Sequence, residues 1–441
     1  MARETDALET VTIVMPVYNP GKYLAPCLDS LLAQTFGDFR LIAIDDGSTD
    51  GSGEVLRAYA AEDSRILAWW NPENLGAART RNIGIQMAKG TYLSVVDADD
   101  FYEPDYLETM VGAMERYGVD VATCDFYDFN EQTGKKRASK VPDFLRKRLE
   151  KPFQPEELPN EIFLTSRNNP FAHMFRRAFL KERSLQFQDI AAWNDLYFTK
   201  MGLMLAKTVF HVQRPLASYR IHTGNQISSS YVRRWPCFYD ACMAMRSTLL
   251  YYGRFELFKR ALYEYFLNTL RCLLPNLLQE LGPHVCTQLT RGFQTMGMKC
   301  LERMDFPSTL SYWFWQACVE GKALSPEELK EMPYDAFFRD LSGLASHIAL
   351  WGYGKLGREF MHMAERHAFP IEEIYDRDAG KWDAAAHPRI LSFSVHNPQV
   401  DAVIVTNSDY YEDIAQEIWK QDRNVRVYDF SRYVAIGRLN M

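Results

Sequence analysis

Two short apolar runs early in the chain, residues 39–44 (FRLIAI) and 92–96 (YLSVV), lead straight into carboxylates: Asp45-Asp46-Gly47-Ser48 and Asp97-Ala98-Asp99-Asp100. A third run, residues 11–17 (VTIVMPV), is β-branched and apolar throughout. Short runs that are apolar on both faces are typical of buried strands in a parallel sheet. Tyr23, Leu24, Cys27, Leu28, Leu31 and Leu32 fall on one helical face. Further helices are expected near 53–61 and 76–89, and another strand near 65–68. Alternating strands and helices imply parallel pairing with right-handed crossovers. Ligands in such sheets sit beyond the carboxyl ends of the strands, where both acidic clusters stand. The expectation is an α/β fold with a polar site on its rim.

The chain has 441 residues, 47% hydrophobic and 24% charged, which is globular composition. A net charge of -7 argues against a nucleic-acid binder with a generally basic surface. No window reaches the 18 apolar residues of a membrane span, and the N-terminus MARETDALET has no apolar core of a secretion signal. Cytoplasmic localisation is expected. The eight cysteines form no CxxC pair, which points to free thiols and no zinc site. Three regions separate by pattern: an α/β domain over 1–230, a helical region over 231–343, and a second α/β domain over 344–441.

Asp97 and Asp99 are two residues apart after a strand, so extended geometry would turn both carboxylates to one side. Oxygen ligands of this kind suit Mg²⁺ or Mn²⁺. The alternative is a solvated acidic loop in which Asp100 helps to cap the next helix. Asp45 and Asp46 admit a similar alternative, an Asp-Gly turn with Ser48 or Asp50 capping a helix. Two acidic strand ends on one rim favour a polar ligand that brings its own metal.

The segments VTIVMPVYN (11–19), IAIDDGSTD (42–50), NLGAARTRNIG (74–84) and VVDADD (95–100), with Gln34-Thr35 and residues 88–90, resemble the family 2 glycosyltransferases in order and spacing. The resemblance covers about the first 105 residues. It implies the GT-A fold and inverting transfer of a sugar from a nucleoside diphosphate donor. It implies that Pro16, Val17 and Tyr18 line the base pocket. Asp45 would accept a hydrogen bond from the base, usually uracil N3–H, and Asp46 would support the same loop. Arg81 would lie near the diphosphate, Asp97-Ala98-Asp99 would form the DXD motif, Asp97 would hold the ribose, and Asp99 would bind Mn²⁺ or Mg²⁺.

An inverting transfer needs a base for the acceptor hydroxyl. The family usually carries a Glu-Asp pair at a helix start. Here Trp193-Asn194-Asp195-Leu196 matches, with Asn194 in place of the Glu, so Asp195 is the candidate base and Asp189 the reserve. The segment PLASYRIH (215–222) resembles the end of the family's domain. It implies that Arg220 and His222 reach the diphosphate or metal, with Ser228 nearby. In FAHMFRRAFL (171–180), Arg176 and Arg177 read either as acceptor-facing or as a solvated edge.

Residues 251–265 (YYGRFELFKRALYEY) read as a basic aromatic helix, either packed in a core or lying on an anionic membrane surface. In the last region a strand enters Gly352-Tyr353-Gly354-Lys355-Leu356-Gly357, and Asp376 follows 22 residues after Gly354. This is the pattern of a Rossmann-like half domain, which either binds a nucleotide or serves docking or oligomerisation. The expected enzyme uses a nucleotide-sugar donor, with UDP favoured, and a glycan or lipid-linked acceptor in surface polysaccharide synthesis. The alternatives are a non-catalytic sugar-nucleotide-binding scaffold and an NAD-linked oxidoreductase acting through the last domain.

Overall fold

The computed structural model describes residues 9–221, 234–282, 284–298, 301, 309–320, 324–341, 345–378, 388–391, 397, 399–406 and 411–430. The chain packs as two compact units, residues 1–262 and 263–441.

The first unit is built on a nine-stranded mixed sheet. Its strands are β1 (Val11–Val17), β2 (Phe39–Asp45), β3 (Ile66–Trp70), β4 (Tyr92–Val95), β5 (Phe101–Tyr102), β6 (Val121–Asn130), β7 (Lys135–Ser139), β8 (His173–Arg176) and β9 (Val209–Ile221). The order is β3-β2-β1-β4-β8-β6-β9-β5, with β7 beside β6. The first four strands pair in parallel. The sheet changes character at β8, which lies antiparallel to both β4 and β6. Helices α1 (Leu24–Leu32), α2 (Ser52–Glu62), α3 (Ala77–Met87) and α4 (Tyr106–Tyr117) connect the early strands. Short α5 (Asp143–Arg146) and α6 (Arg177–Glu182) precede α7 (Asn194–Leu205) and α8 (Trp235–Tyr251). Strand β1 is the centre of the core: Val11, Ile13, Val14, Met15 and Val17 are fully buried. This is the α/β, GT-A-like arrangement expected from the sequence.

A helical stretch follows, with α9 (Phe255–Leu281), α10 (His284–Thr295), α11 (Thr309–Val319) and α12 (Pro326–Leu341). The expected single basic aromatic helix over 251–265 is corrected here. Residues 252–254 break it, with Gly253 at φ 66°, because only glycine takes that backbone cheaply. Phe255 and Phe258 are buried, and the Arg254 guanidinium lies over the Phe258 ring and pairs with Glu156. Among the described residues, no helix is long and apolar enough to cross a membrane.

The second unit carries a five-stranded, all-parallel sheet of β10 (Ile348–Trp351), β11 (Glu373–Tyr375), β12 (Arg389–Leu391), β13 (Ala402–Val405) and β14 (Arg426–Asp429). The order is β12-β11-β10-β13-β14, with α13 (Lys355–Arg366) and α14 (Tyr411–Gln421). Apolar clusters form on both faces of the sheet, as a doubly wound sheet requires. Cys27, Cys124, Cys237, Cys242, Cys272 and Cys318 are free thiols.

Candidate functional site

Parallel pairing brings the ends of β1, β2 and β4 together. Pro16 pairs with Ile44 and Val17 with Asp45, while Val14 pairs with Val95 immediately before the second acidic cluster. The chain leaves β1 through Tyr18, which is 54% exposed, and Asn19, held at φ 50°. Asn19 ties this exit to the β2 exit. Its N–H donates to Ser48 Oγ (3.1 Å), and its Oδ1 accepts from Thr49 N–H (2.7 Å).

The two aspartates after β2 have different surroundings. Asp45 Oδ1 accepts from Ser48 N–H (3.0 Å), and its Oδ2 lies against Gly53. A Cβ on Gly53 would come within 2.8 Å of that oxygen, so α2 approaches Asp45 closely only because residue 53 is glycine. Asp46 is 2% exposed. Its Oδ1 accepts from Asn71 Nδ2 (2.7 Å) and Leu75 N–H (2.9 Å), and its Oδ2 accepts from Gly76 N–H (2.8 Å). Asp46 therefore fixes the loop that launches α3.

In the second cluster Asp97 is partly exposed and Ala98 is buried. Asp97 Oδ1 accepts from Arg81 Nη2 (2.6 Å). Arg220 Nε donates to the Asp99 carbonyl (2.8 Å), and the Arg220 guanidinium is ringed by Tyr23, Phe101 and Phe129 at 4.9, 5.1 and 5.4 Å. Asp100 does not cap a helix in solvent, as the alternative reading had it. It is fully buried and accepts from Arg220 N–H (2.8 Å). Burial, then the charges of Asp99 and Asp97, push its carboxyl well above the usual range. His222 and Ser228 lie outside the described residues.

Asp195 is the second residue of α7 and is half-buried. Its Oδ1 accepts from Leu196 N–H (2.9 Å). Burial raises its pKa to about 6, partly offset by the Arg81 cation. Asn194 Oδ1 accepts from Arg81 Nη1 (2.8 Å), so one guanidinium touches both Asp97 and the residue before Asp195. Asp189 is exposed and paired with Arg79 at 2.5 Å.

Arg176 and Arg177 are not a solvated edge. Arg176 Nε donates to Asp120 Oδ1 (3.1 Å), and Arg177 Nε donates to the Gly90 carbonyl (2.6 Å). Arg176 thus ties the end of β8 to the residue before β6, and Arg177 ties the start of α6 to the segment before β4. The sequence reading missed Lys200, a lone lysine in an apolar helix that is 1% exposed. Its Nζ donates to the carbonyls of Phe163 (3.2 Å) and Ser166 (2.5 Å), and burial lowers its pKa to about 7. It also missed Asn71 and Asn82. Only the partners that folding brings to these residues mark them out.

In the second unit, Gly352 (φ 97°) and Gly354 form the turn after β10, and Gly357 lies in the first turn of α13. A Cβ on Gly357 would lie 1.9 Å from the Gly352 carbonyl oxygen. Asp376 Oδ2 accepts from Tyr353 N–H (2.7 Å) and Oδ1 from Asp378 N–H (2.8 Å), so its carboxylate holds the glycine turn and its own exit from β11.

Comparison with known proteins agrees with the first unit. Residues 12–184 match the family model described as Glycosyl transferase family 2. The chain is 31% identical over 247 residues to glycosyltransferase GlyA of Streptococcus pneumoniae serotype 4, covering 55% of this chain and 35% of that protein. It is 37% identical over 126 residues to glycosyltransferase GlyG of the same organism, covering 29% of this chain and 42% of that one. It thus spans less than half of either relative. The fold is similar to that of S. aureus TarS 1–349 in complex with UDP-GlcNAc, with a TM-score of 0.56, 17% identity, and coverage of 71% of this chain and 89% of that one.

Proposed function

We propose that this chain, which belongs to glycosyl transferase family 2 through its domain at residues 12–184, is an inverting, metal-dependent transferase. It moves a sugar from a nucleoside diphosphate donor, UDP-linked above all, to a hydroxyl of a glycan or lipid-linked acceptor in surface polysaccharide synthesis. The observation that carries this reading is the Arg81 bridge, which joins the acid after β4 to the head of α7, where the base candidate stands.

In this reading Asp45 receives the base N–H at the end of β2, beside the exposed ring of Tyr18. Among the described residues, no three His, Cys, Asp or Glu side chains converge on one point. A Mg²⁺- or Mn²⁺-type cation takes one or two protein carboxylates and fills its shell with phosphate oxygens and water. Asp99 would hold it, together with His222 beyond the described residues. When bound, the cation supplies positive charge against the departing diphosphate. Asp195 takes the proton of the acceptor hydroxyl onto a carboxylate oxygen as the new C–O bond forms. With a pKa of about 6 it is ionised at neutral pH and still basic enough to accept that proton.

The test is release of nucleotide from a panel of UDP-, GDP- and dTDP-sugars, with and without Mn²⁺, beside Asp99→Ala. Metal-dependent turnover of one donor, lost in Asp99→Ala with the fold intact, is the expected result. No turnover with any donor, together with no thermal stabilisation by any of the three nucleotides, would refute the reading in favour of a non-catalytic scaffold.

A further inference from the structure

Helix α3 grips the segment leading into α7 at several points. Arg79 pairs with Asp189. Asn82 exchanges two hydrogen bonds with the main chain of Phe187: its Nδ2 donates to the carbonyl and its Oδ1 accepts from the N–H, both at 2.8 Å. The Arg81 guanidinium lies 5.0 Å from the centre of the Phe187 ring. Its two terminal nitrogens donate to Asp97 and Asn194, and its side chain is 10% exposed. Arg81 Nε has no partner among the described residues. Asn194 Nδ2 in turn donates to the Ile190 carbonyl (3.3 Å), closing the turn before the helix.

A guanidinium held on both terminal nitrogens and stacked on a ring is a strut. We infer that Arg81 and Asn194 are positioning residues, through which Asp97 fixes the first turn of α7 and hence the carboxylate of Asp195. A carboxylate at position 194 would also accept from Arg81, but only the amide can donate to the Ile190 carbonyl at the same time. One side chain thus clamps both the strut and the turn. The catalytic consequence rests on the proposed transferase reading, whereas the latch itself does not.

The test uses the full chain with Asn194→Ala and Asn194→Asp. In the nucleotide-free protein, Asn194→Ala should raise amide hydrogen exchange across residues 187–198 by roughly tenfold or more, since a cooperative unit has lost its tie. Transfer should lose kcat on the order of 100-fold, as expected for a displaced catalytic group. The donor KM should stay within about twofold, because the interaction acts on placement and not on donor binding. Asn194→Asp restores an acceptor to Arg81 and should recover much of both the protection and kcat. Unchanged exchange in Asn194→Ala would overturn the inference whether or not the chain transfers sugar. A loss confined to donor KM would overturn it too, and would return Arg81 to the diphosphate. Absence of nucleotide binding and turnover in the unsubstituted chain would sink the transferase reading alone, leaving the exchange result to decide the latch.

Discussion

Adjacent aspartates at the end of β2 should give opposite phenotypes. Asp46→Ala removes one acceptor from each of three donors. Asn71 Nδ2 keeps Thr80 Oγ1 (3.0 Å) and Gly76 N–H keeps Asn74 Oδ1 (3.0 Å), but Leu75 N–H keeps no acceptor among the described residues. One orphaned main-chain donor costs about 1–3 kcal/mol, and two weakened ones add about 1 kcal/mol each, giving about 3–5 kcal/mol. At about 2–4 °C per kcal/mol for a unit of this size, the first unit should melt roughly 6–20 °C lower. Asp45→Ala loses one bond, from Ser48, at about 1 kcal/mol. It should melt within a few degrees of the parent yet lose stabilisation by UDP. The assay is thermal unfolding of the full chain and both variants, with and without nucleotide. If Asp45→Ala proves the less stable of the two, or keeps its full response to UDP, the reasoning is wrong.

Asp195 should impose an acid limb near pH 6 on kcat. Burial raises its pKa, so activity is full above that value and falls as the carboxylate is protonated below it. A limb near pH 4, or normal transfer by Asp195→Asn, would assign the base elsewhere. Gly357→Ala drives a methyl into the Gly352 carbonyl and should destabilise the second unit by about 1–3 kcal/mol or more. Its melting transition should fall while the response of the first unit to nucleotide stays intact. An unshifted transition would mean that the glycine turn opens freely.

The parallel half of the first unit was legible because local pattern decides it. The sequence expected strands at 11–17, 39–44 and 92–96, and the structure has Val11–Val17, Phe39–Asp45 and Tyr92–Val95. The mixed half beyond β4, where β6 and β9 pair in parallel and the other pairs are antiparallel, was not legible in this way. Strand β6 carries polar residues because its far end is only half-buried, and β5 has two residues that count as a strand only because β9 pairs with them. The acid clusters announced themselves by spacing. The difference between Asp45 and Asp46 depends on where residues 71–76 fold back. The same holds for Arg176, which reads as a surface charge until Asp120 arrives beside it. Side chains whose partners lie far along the chain leave no periodicity to detect.

Strand β9 has a consequence for the order of assembly. It pairs with β6 and with the short β5, and Arg220 within it holds the main chain at Asp99 and the carboxylate of Asp100, across 121 and 120 residues respectively. During synthesis the acidic loop therefore leaves the ribosome long before the residue that shapes it. Until residue 221 emerges, β5 lacks its partner strand and Asp100 lacks both its hydrogen-bond donor and the cation that opposes its neighbours' charge. Closing such long loops makes the folding of this unit slow. The acidic loop of the rim is thus among the last parts of the first unit to take shape, and no nascent chain shorter than this can present it in finished form.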